Sequence, residues 1–157
     1  MCDRAFIPVL HAATEDRPDE IDTLVSAAAV ARSLKSLGYR TQIIRVGLDL
    51  RAIERLASRA PRLVFNLVEA LTADMRMASI VPATLERFGI GYTGASFDAL
   101  AATLSKVRAK QLMRAAGLPT PDWSETGEGL AGGRRYLVKS IDEHASVGID
   151  GASIVDG

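Results

Sequence analysis

Short apolar runs alternate with longer segments of helical periodicity through residue 94, and this alternation restricts the fold more than any other feature. A short, continuous apolar run such as Ala5–Leu10 is typical of a strand that is buried on both faces. Between such runs, apolar residues recur at helical spacing, and Gly38 is placed to end the first helix as a left-handed C-cap. The predicted strands are 5–10, 41–46 and 63–67, and the predicted helices are 21–37, 49–58 and 75–88. This order predicts an α/β fold with a doubly wound parallel sheet.

Local signals refine the predicted helices and extend the pattern. Pro82 interrupts helix 75–88, so it either kinks that helix or begins a new first turn. A further helix is predicted at 106–116, a glycine-rich linker at 125–134 and a strand at 136–139. The residues predicted to cap helices at their N-termini are Asp49, Ser96 and Ser105.

Composition and charge exclude several classes of function. The 157 residues balance 19 Lys and Arg against 19 Asp and Glu, so no net charge attracts nucleic acid or an anionic membrane. The single cysteine, Cys2, cannot form an internal disulfide, and the apolar run after Arg4 is too short for a signal peptide. No apolar stretch approaches the roughly 20 residues that a membrane span needs. We therefore expect a cytoplasmic protein that binds neither nucleic acid nor membrane.

Ligands of parallel α/β sheets bind beyond the carboxyl ends of the strands. In this chain those ends are the polar segment 11–20, Gly47 and the segment 68–74. A nicotinamide-binding domain is disfavoured, because the first predicted strand is not followed by Gly-x-Gly-x-x-Gly. His11 has no nearby cysteine, and such a histidine is more often a core or loop residue than a metal ligand.

Two lysines and a loop of small residues predict a site for phosphate. Lys106 begins a predicted helix and Lys139 ends a predicted strand, and each alone is typical of solvated surface. The loop 142–149 follows Lys139 and ends in Ala-Ser-Val-Gly-Ile. Small residues allow backbone N–H groups to approach phosphate oxygens, and lysine adds a mobile positive charge. Together these residues predict that a triphosphate is held between them.

Six short motifs, in order and spacing, resemble the first half of D-alanine–D-alanine ligases, a family of the ATP-grasp superfamily. The resemblance covers roughly residues 60 to 150 well and the N-terminal strand, loop and helix only loosely. It implies a Rossmann-like pre-ATP-grasp domain followed by the truncated start of an ATP-grasp domain. The motifs are Phe65-Asn66-Leu67-Val68-Glu69, Tyr92-Thr93-Gly94, Ser105-Lys106, Ala115-Ala116-Gly117-Leu118-Pro119-Thr120-Pro121, Val138-Lys139 and Ser146-Val147-Gly148.

The resemblance also implies a mechanism and roles for individual residues. In this family ATP phosphorylates the carboxylate of one D-alanine, and the amine of a second D-alanine attacks the acyl phosphate to give the dipeptide used in peptidoglycan. By resemblance, Lys106 and Lys139 contact the ATP phosphates. By the same resemblance, Ser146, Val147 and Gly148 belong to the mobile loop that covers those phosphates.

The substrate side of the resemblance is less complete. Glu69 is implied to line the substrate cleft, whereas the family's first loop, usually Gly-Gly and then serine and glutamate, is replaced by 11–14, His-Ala-Ala-Thr. We assign the place of that glutamate to Asp19; the alternative is that Asp19 belongs to an acidic cluster, 19–22, at the start of the first helix. Ala145 stands where many members have serine, and Ser140 replaces the usual proline. The amino acids that are ligated therefore stay open.

The chain is predicted to divide into an N-terminal α/β substrate domain, 1–104, and the incomplete beginning of a central ATP-binding domain, 105–157. The resemblance implies ATP and Mg²⁺ as cofactors, with the metal ligands outside this chain, and a homodimer. Without those ligands we expect no ligase activity from these residues alone. The alternative hypothesis is a non-catalytic α/β binding or interaction module, the remnant of a truncated ligase.

Overall fold

The computed structural model describes residues 4–12, 18–71, 75–142 and 148–157. The chain forms two compact units, Met1–Ala101 and Ala102–Gly157. The first contains a three-stranded sheet and the second a two-stranded sheet. Within the described residues, no helix is long and apolar enough to cross a membrane.

The first unit is an α/β fold with a parallel sheet, as the alternation of apolar runs and helical segments predicts. Its strand order is β2 (Ile43–Val46), β1 (Val9–Ala12), β3 (Phe65–Asn66), and β1 pairs in parallel with both neighbours. An isolated parallel bridge pairs Val64 with Tyr92. The segment around Tyr92 therefore lies beside the residue that precedes β3. The elements are β1 (Val9–Ala12), α1 (Pro18–Ser36), β2 (Ile43–Val46), α2 (Arg51–Ala57), β3 (Phe65–Asn66), a 3₁₀ helix (Met75–Ser79), α3 (Ile80–Arg87) and α4 (Phe97–Thr103), which runs past the unit's last residue.

The sheet buries apolar side chains on both faces. Adjacent residues of a strand point to opposite faces, and Val9 and Leu10 of β1 accordingly join two different clusters. Val9 packs with Ala27 and Ala31 of α1. The larger cluster joins Leu10 to buried residues of β2, α2 and α3, each of which contributes about 1.5–3 kcal/mol by leaving water. Its fully or almost fully buried members are Leu10, Val46, Ile53, Leu56, Val64, Val81 and Leu85.

Helices α1 and α2 begin at residues other than those predicted. Helix α1 begins at Pro18 instead of Ile21, and proline suits a first helical position because the N–H it lacks would have no partner there. The prediction that Asp49 is the N-cap of α2 is wrong. The N-cap is Leu50, which has a left-handed φ of 54° and makes no side-chain cap hydrogen bond. Asp49 Oδ1 instead accepts a hydrogen bond from the N–H of Arg51 at 3.3 Å.

Pro82 is accommodated without a break in α3. The chain passes from the 3₁₀ helix Met75–Ser79 into α3 at Ile80, so Pro82 lies in the first turn of α3. The first turn of a helix has no carbonyl partners for its N–H groups, and proline therefore loses no hydrogen bond there. Pro82 is also fully buried.

The second unit contains α5 (Lys106–Ala115), β4 (Arg135–Leu137), a 3₁₀ helix (Gly151–Ser153) and β5 (Ile154–Asp156). Strands β4 and β5 are antiparallel. The predicted capping by Ser105 is confirmed, since its side chain accepts a hydrogen bond from the N–H of Arg108. Lys139 is predicted to end a strand, but β4 ends at Leu137, two residues before Lys139. After β4, the N–H of Val138 donates a hydrogen bond to the carbonyl of Ser153 at 2.8 Å.

Candidate functional site

The carboxyl ends of the three parallel strands define one candidate edge in the first unit. At that edge lie the end of β1 at Ala12, the end of β2 at Val46 and the turn that follows Asn66 in β3. Glu69, the residue assigned to the substrate, is exposed three residues beyond β3. Asp19 lies in the first turn of α1, and its side chain is outside the described part of the chain.

The turn after β3 is held by side chains whose structural role the sequence analysis did not predict. The N–H of Asn66 donates to Thr93 Oγ1 at 3.1 Å, and the N–H of Thr93 donates to the carbonyl of Val64 at 3.0 Å. Asn66 Oδ1 accepts a hydrogen bond from the N–H of Val68 at 3.2 Å. Asparagine commonly stabilises a turn in this way. Two of the quoted motifs are therefore joined to each other just before Glu69.

His11 is a buried residue of β1, and only 7% of its surface is exposed. Its Nδ1 is buried and has no hydrogen-bond partner among the described residues. Burial lowers the pKa of His11 below its usual 6.5, the Arg45 guanidinium lowers it further, and the Ala12 backbone opposes both effects. The imidazole is therefore neutral at pH 7, which fits a core histidine better than a general acid.

Tyr92 joins the Tyr92-Thr93-Gly94 motif to α3 and to the start of α4. Its hydroxyl donates to Glu86 Oε1, which also accepts a hydrogen bond from the N–H of Phe97 at 3.0 Å. Burial, and then the neighbouring Glu86 carboxylate, raises the pKa of Tyr92 to about 12. The same two hydrogen bonds lower the pKa of Glu86. The phenol stays protonated and acts as a structural donor.

In the second unit, α5 begins beside the segment that follows β4. Lys106 is partly buried at the first position of α5, and its N–H donates to the carbonyl of Ile141 at 3.0 Å. Lys139 is exposed, two residues before Ile141. The segment that carries Lys139 is thus in contact with the backbone of Lys106 at Ile141, whereas the convergence of the two ammonium groups stays a prediction.

The far end of the predicted phosphate loop is also fixed. Ser146 and Val147 fall outside the described residues, but Gly148 is exposed, with a left-handed φ of +71°. Asp150 then accepts hydrogen bonds from Ala152 N at 2.9 Å and Ser153 N at 3.2 Å, so the 3₁₀ helix begins with a capping box. Hydrogen bonds therefore hold the residues on both sides of the loop, Ile141 before it and Asp150 after it.

The side chains near these two regions suit an anion better than a metal ion. The described residues contain no group of three or more His, Cys, Asp or Glu placed to hold a metal. Lysine ammonium groups and backbone N–H groups near small residues are donors that phosphate oxygens accept. Lys106, Lys139 and Gly148 carry donors of this kind, and the binding of phosphate by them stays a prediction.

Solved D-alanine–D-alanine ligases have a fold similar to that of this chain. They include D-alanine–D-alanine ligase from Bacillus anthracis complexed with ATP, with a TM-score of 0.70 at 20% identity, over 98% of this chain and 50% of that one. The enzyme from Helicobacter pylori gives a TM-score of 0.63 at 16% identity, over 99% of this chain and 59% of that one. At such identities the likeness shows the fold.

Curated proteins that are similar to this chain in sequence are D-alanine–D-alanine ligases. A D-alanine–D-alanine ligase from Haemophilus ducreyi is 37% identical over 127 residues, which are 80% of this chain and 39% of the relative. One from Actinobacillus pleuropneumoniae is 34% identical over 145 residues, 85% of this chain and 46% of the relative. No family model matches the chain. The predicted resemblance to D-alanine–D-alanine ligases is confirmed, and the chain spans less than half the length of these curated relatives.

Proposed function

We propose that this chain is the N-terminal portion of an ATP-dependent carboxylate–amine ligase that resembles D-alanine–D-alanine ligase. The observation that carries this proposal is the identity of 37% over 80% of the chain to a D-alanine–D-alanine ligase. The reaction would be the acyl-phosphate reaction that the resemblance implies, forming a dipeptide for peptidoglycan. A cytoplasmic location and a homodimer belong to the same proposal.

The arrangement of the second unit supports ATP as a ligand. The formation of an acyl phosphate brings the negative γ-phosphate and a carboxylate together, so positive groups must be in place beforehand. Lys106 stands at the positive end of α5, and Lys139 lies on the neighbouring segment, which leads into the loop of Ser146, Val147 and Gly148. These residues would bind and orient the phosphates. When bound, Mg²⁺ supplies charge neutralisation, from ligands outside this chain.

The first unit would supply the substrate side. In the proposed doubly wound arrangement, supported by the two apolar clusters, the carboxyl edge of the parallel sheet is where a ligand would bind. Glu69 is exposed at this edge, and Asp19 stands in the first turn of α1 beyond the end of β1. Residues 1–104 would form the substrate domain and residues 105–157 the start of the ATP-binding domain.

The alternative is a non-catalytic α/β binding or interaction module. One observation favours it: 11–14, His-Ala-Ala-Thr, departs from the family's substrate loop, and His11 at its start is buried and neutral. A module of this kind would keep the fold without binding ATP.

Calorimetric titration of this chain with ATP separates the two hypotheses. We expect saturable binding that Lys106→Gln and Lys139→Gln each weaken about tenfold, because each removes a charge-assisted contact to phosphate. Arg114→Gln, which removes an exposed charge from the last turn of α5, is the matched control and should leave the affinity unchanged. Absence of ATP binding, or equal weakening by all three variants, would favour the non-catalytic module. We expect no release of ADP when D-alanine is added to this chain alone.

A further inference from the structure

Lys110 of α5 is tied to the segment that follows this helix. Its Nζ donates to the carbonyl of Pro121 at 2.6 Å and to Thr120 Oγ1 at 3.1 Å. The same ammonium group lies 5.4 Å from the centre of the Trp123 ring, within the range of a cation–π contact. The chain that leaves α5 therefore folds back against the helix at Lys110. We call residues 120–123 the return segment.

A second cation of α5, Arg114, also contacts the return segment, but at the surface. Its Nη2 pairs with Asp122 Oδ1 at 2.9 Å, and its guanidinium lies 4.4 Å from the centre of the Trp123 ring. The Asp122 side chain is fully exposed and that of Arg114 is 57% exposed, and ion pairs of this kind contribute little to stability. The bond from Lys110 to Thr120 is part-buried, and its other acceptor is a main-chain carbonyl. Of the two cations, Lys110 therefore makes the stronger attachment.

The attachment at Lys110 lies one helical turn after Lys106. Residues four apart lie on the same face of a helix, so the two lysines share one face of α5. The N–H of Lys106 donates to the carbonyl of Ile141 at 3.0 Å, and the Ser105 side chain caps the same turn. The first half of α5 is thus held at its start by Ser105 and Ile141 and one turn later by the return segment.

We propose that Lys110 is a positioning residue of the ATP site in the second unit, an inference that rests on the proposed function. Lys110 holds the return segment against α5 and so fixes the direction from which Lys106 meets the phosphates. Two of the three N–H donors of its ammonium group are used by neutral acceptors of the return segment. Lys110 therefore affects ATP through the helix, and removal of its partners should have the same effect as removal of the lysine.

Trp123 reports whether the return segment is held, because it is the only tryptophan of the chain and is partly buried. Lys110→Met should raise the quenching of its fluorescence by acrylamide, and Lys110→Arg should recover part of the protection. Coupling between two sites is reciprocal, so an attachment that strengthens ATP binding must itself be strengthened by ATP. ATP should therefore lower the quenching of Trp123 in the unchanged chain. If Lys110 instead leaves the return segment to bind phosphate, ATP should raise the quenching, and the proposal is overturned.

Calorimetric titration of the whole chain with ATP measures the effect on the site. Lys110→Met should weaken ATP binding about fivefold or more, and Lys110→Arg should recover part of the loss. Thr120→Val keeps the charge of Lys110 but removes one of its acceptors, so it should also weaken ATP binding. Because both substitutions break one attachment, the double variant should bind no more weakly than Lys110→Met alone. Arg114→Gln, which removes only the exposed pair with Asp122, is the matched control and should leave the affinity unchanged.

The outcomes separate the role of Lys110 from the proposed function. ATP binding by Lys110→Met or by Thr120→Val that is as tight as that of the unchanged chain would overturn the positioning role and leave the ATP site in place. Equal weakening by Arg114→Gln would do the same. Absence of ATP binding by the unchanged chain would overturn the proposed function and the positioning role with it. Circular dichroism of each variant distinguishes lost affinity from lost folding, and Thr120→Val, which is close to threonine in shape, decides the matter if Lys110→Met does not fold.

Discussion

The backbone N–H of Lys106 donates a hydrogen bond to the carbonyl of Ile141 at 3.0 Å, and this bond joins the start of α5 to the segment after β4. Lys139 lies two residues before Ile141, so the segment that carries it contacts the backbone of Lys106. A hydrogen bond between main-chain groups does not depend on either lysine side chain. Lysine substitutions can therefore test phosphate binding without removing the contact that holds the two segments together.

Ser105 is expected to link the stability of α5 to ATP binding. Ser105→Ala removes the oxygen that accepts the N–H of Arg108 at 3.5 Å, and we expect a loss of about 1 kcal/mol of unfolding free energy. Ser105→Asp restores a cap but places a negative charge beside Lys106. It should recover the stability and weaken ATP binding, as urea denaturation and calorimetry would measure. Ser105→Asp binding ATP as tightly as the unchanged chain would contradict a phosphate site at the start of α5.

The sequence predicted features that depend on neighbouring residues. The caps at Ser96 and Ser105 are both confirmed by hydrogen bonds to N–H groups three residues later, at 3.2 and 3.5 Å. Gly38 likewise takes the left-handed conformation expected of it, with φ +88°. Each of these outcomes is fixed within a single helical turn, and residue type alone indicates it.

Features that depend on distant residues could not be predicted in this way. Asn66 binds Thr93 across 27 positions of sequence, and no periodicity indicates such a pair. Asp49 has the residue type of an N-cap, but the tight turn at Leu50, whose N–H donates to the carbonyl of Gly47, starts α2 one residue later.

Leu85 tests how much the larger apolar cluster contributes to stability. It is fully buried in α3, so Leu85→Ala should cost about 2–5 kcal/mol of unfolding free energy through lost burial and the cavity that remains. Leu37→Ala is the matched control, since Leu37 is 72% exposed and should change the free energy by less than about 0.5 kcal/mol. Urea denaturation followed by circular dichroism measures both, and equal effects would contradict the assignment of Leu85 to the core.

His11 should make the chain less stable in mild acid. Its pKa is lowered in the folded state, mainly by burial, so the unfolded chain binds a proton more readily. Stability is therefore fully present above pH 6.5 and is lost as the pH falls below it. In proton NMR, one histidine should titrate below pH 6.5. His144→Gln removes the other histidine and identifies the signal. A His11 titration at or above the ordinary value would refute the prediction.

Tyr92 should make the chain less stable in strong alkali. Its pKa is raised from 10.0 to about 12 in the folded state, so the folded chain keeps a proton that the unfolded chain releases. The stability from this group is fully present below pH 10.0 and is lost as the pH rises towards about 12.

Tyr92→Phe tests this relationship, because it removes both the titrating hydroxyl and the hydrogen bond to Glu86. The variant should be less stable at pH 7 and should lose less of its stability than the unchanged chain when the pH rises above 10.0. Tyr39→Phe, which removes an exposed phenol, is the control for tyrosine ionisation in general. Urea denaturation at successive pH values measures these differences. Parallel pH profiles for the unchanged chain and Tyr92→Phe would contradict this prediction. They would show that Tyr92 titrates with an ordinary pKa and that burial and the Glu86 carboxylate do not raise it.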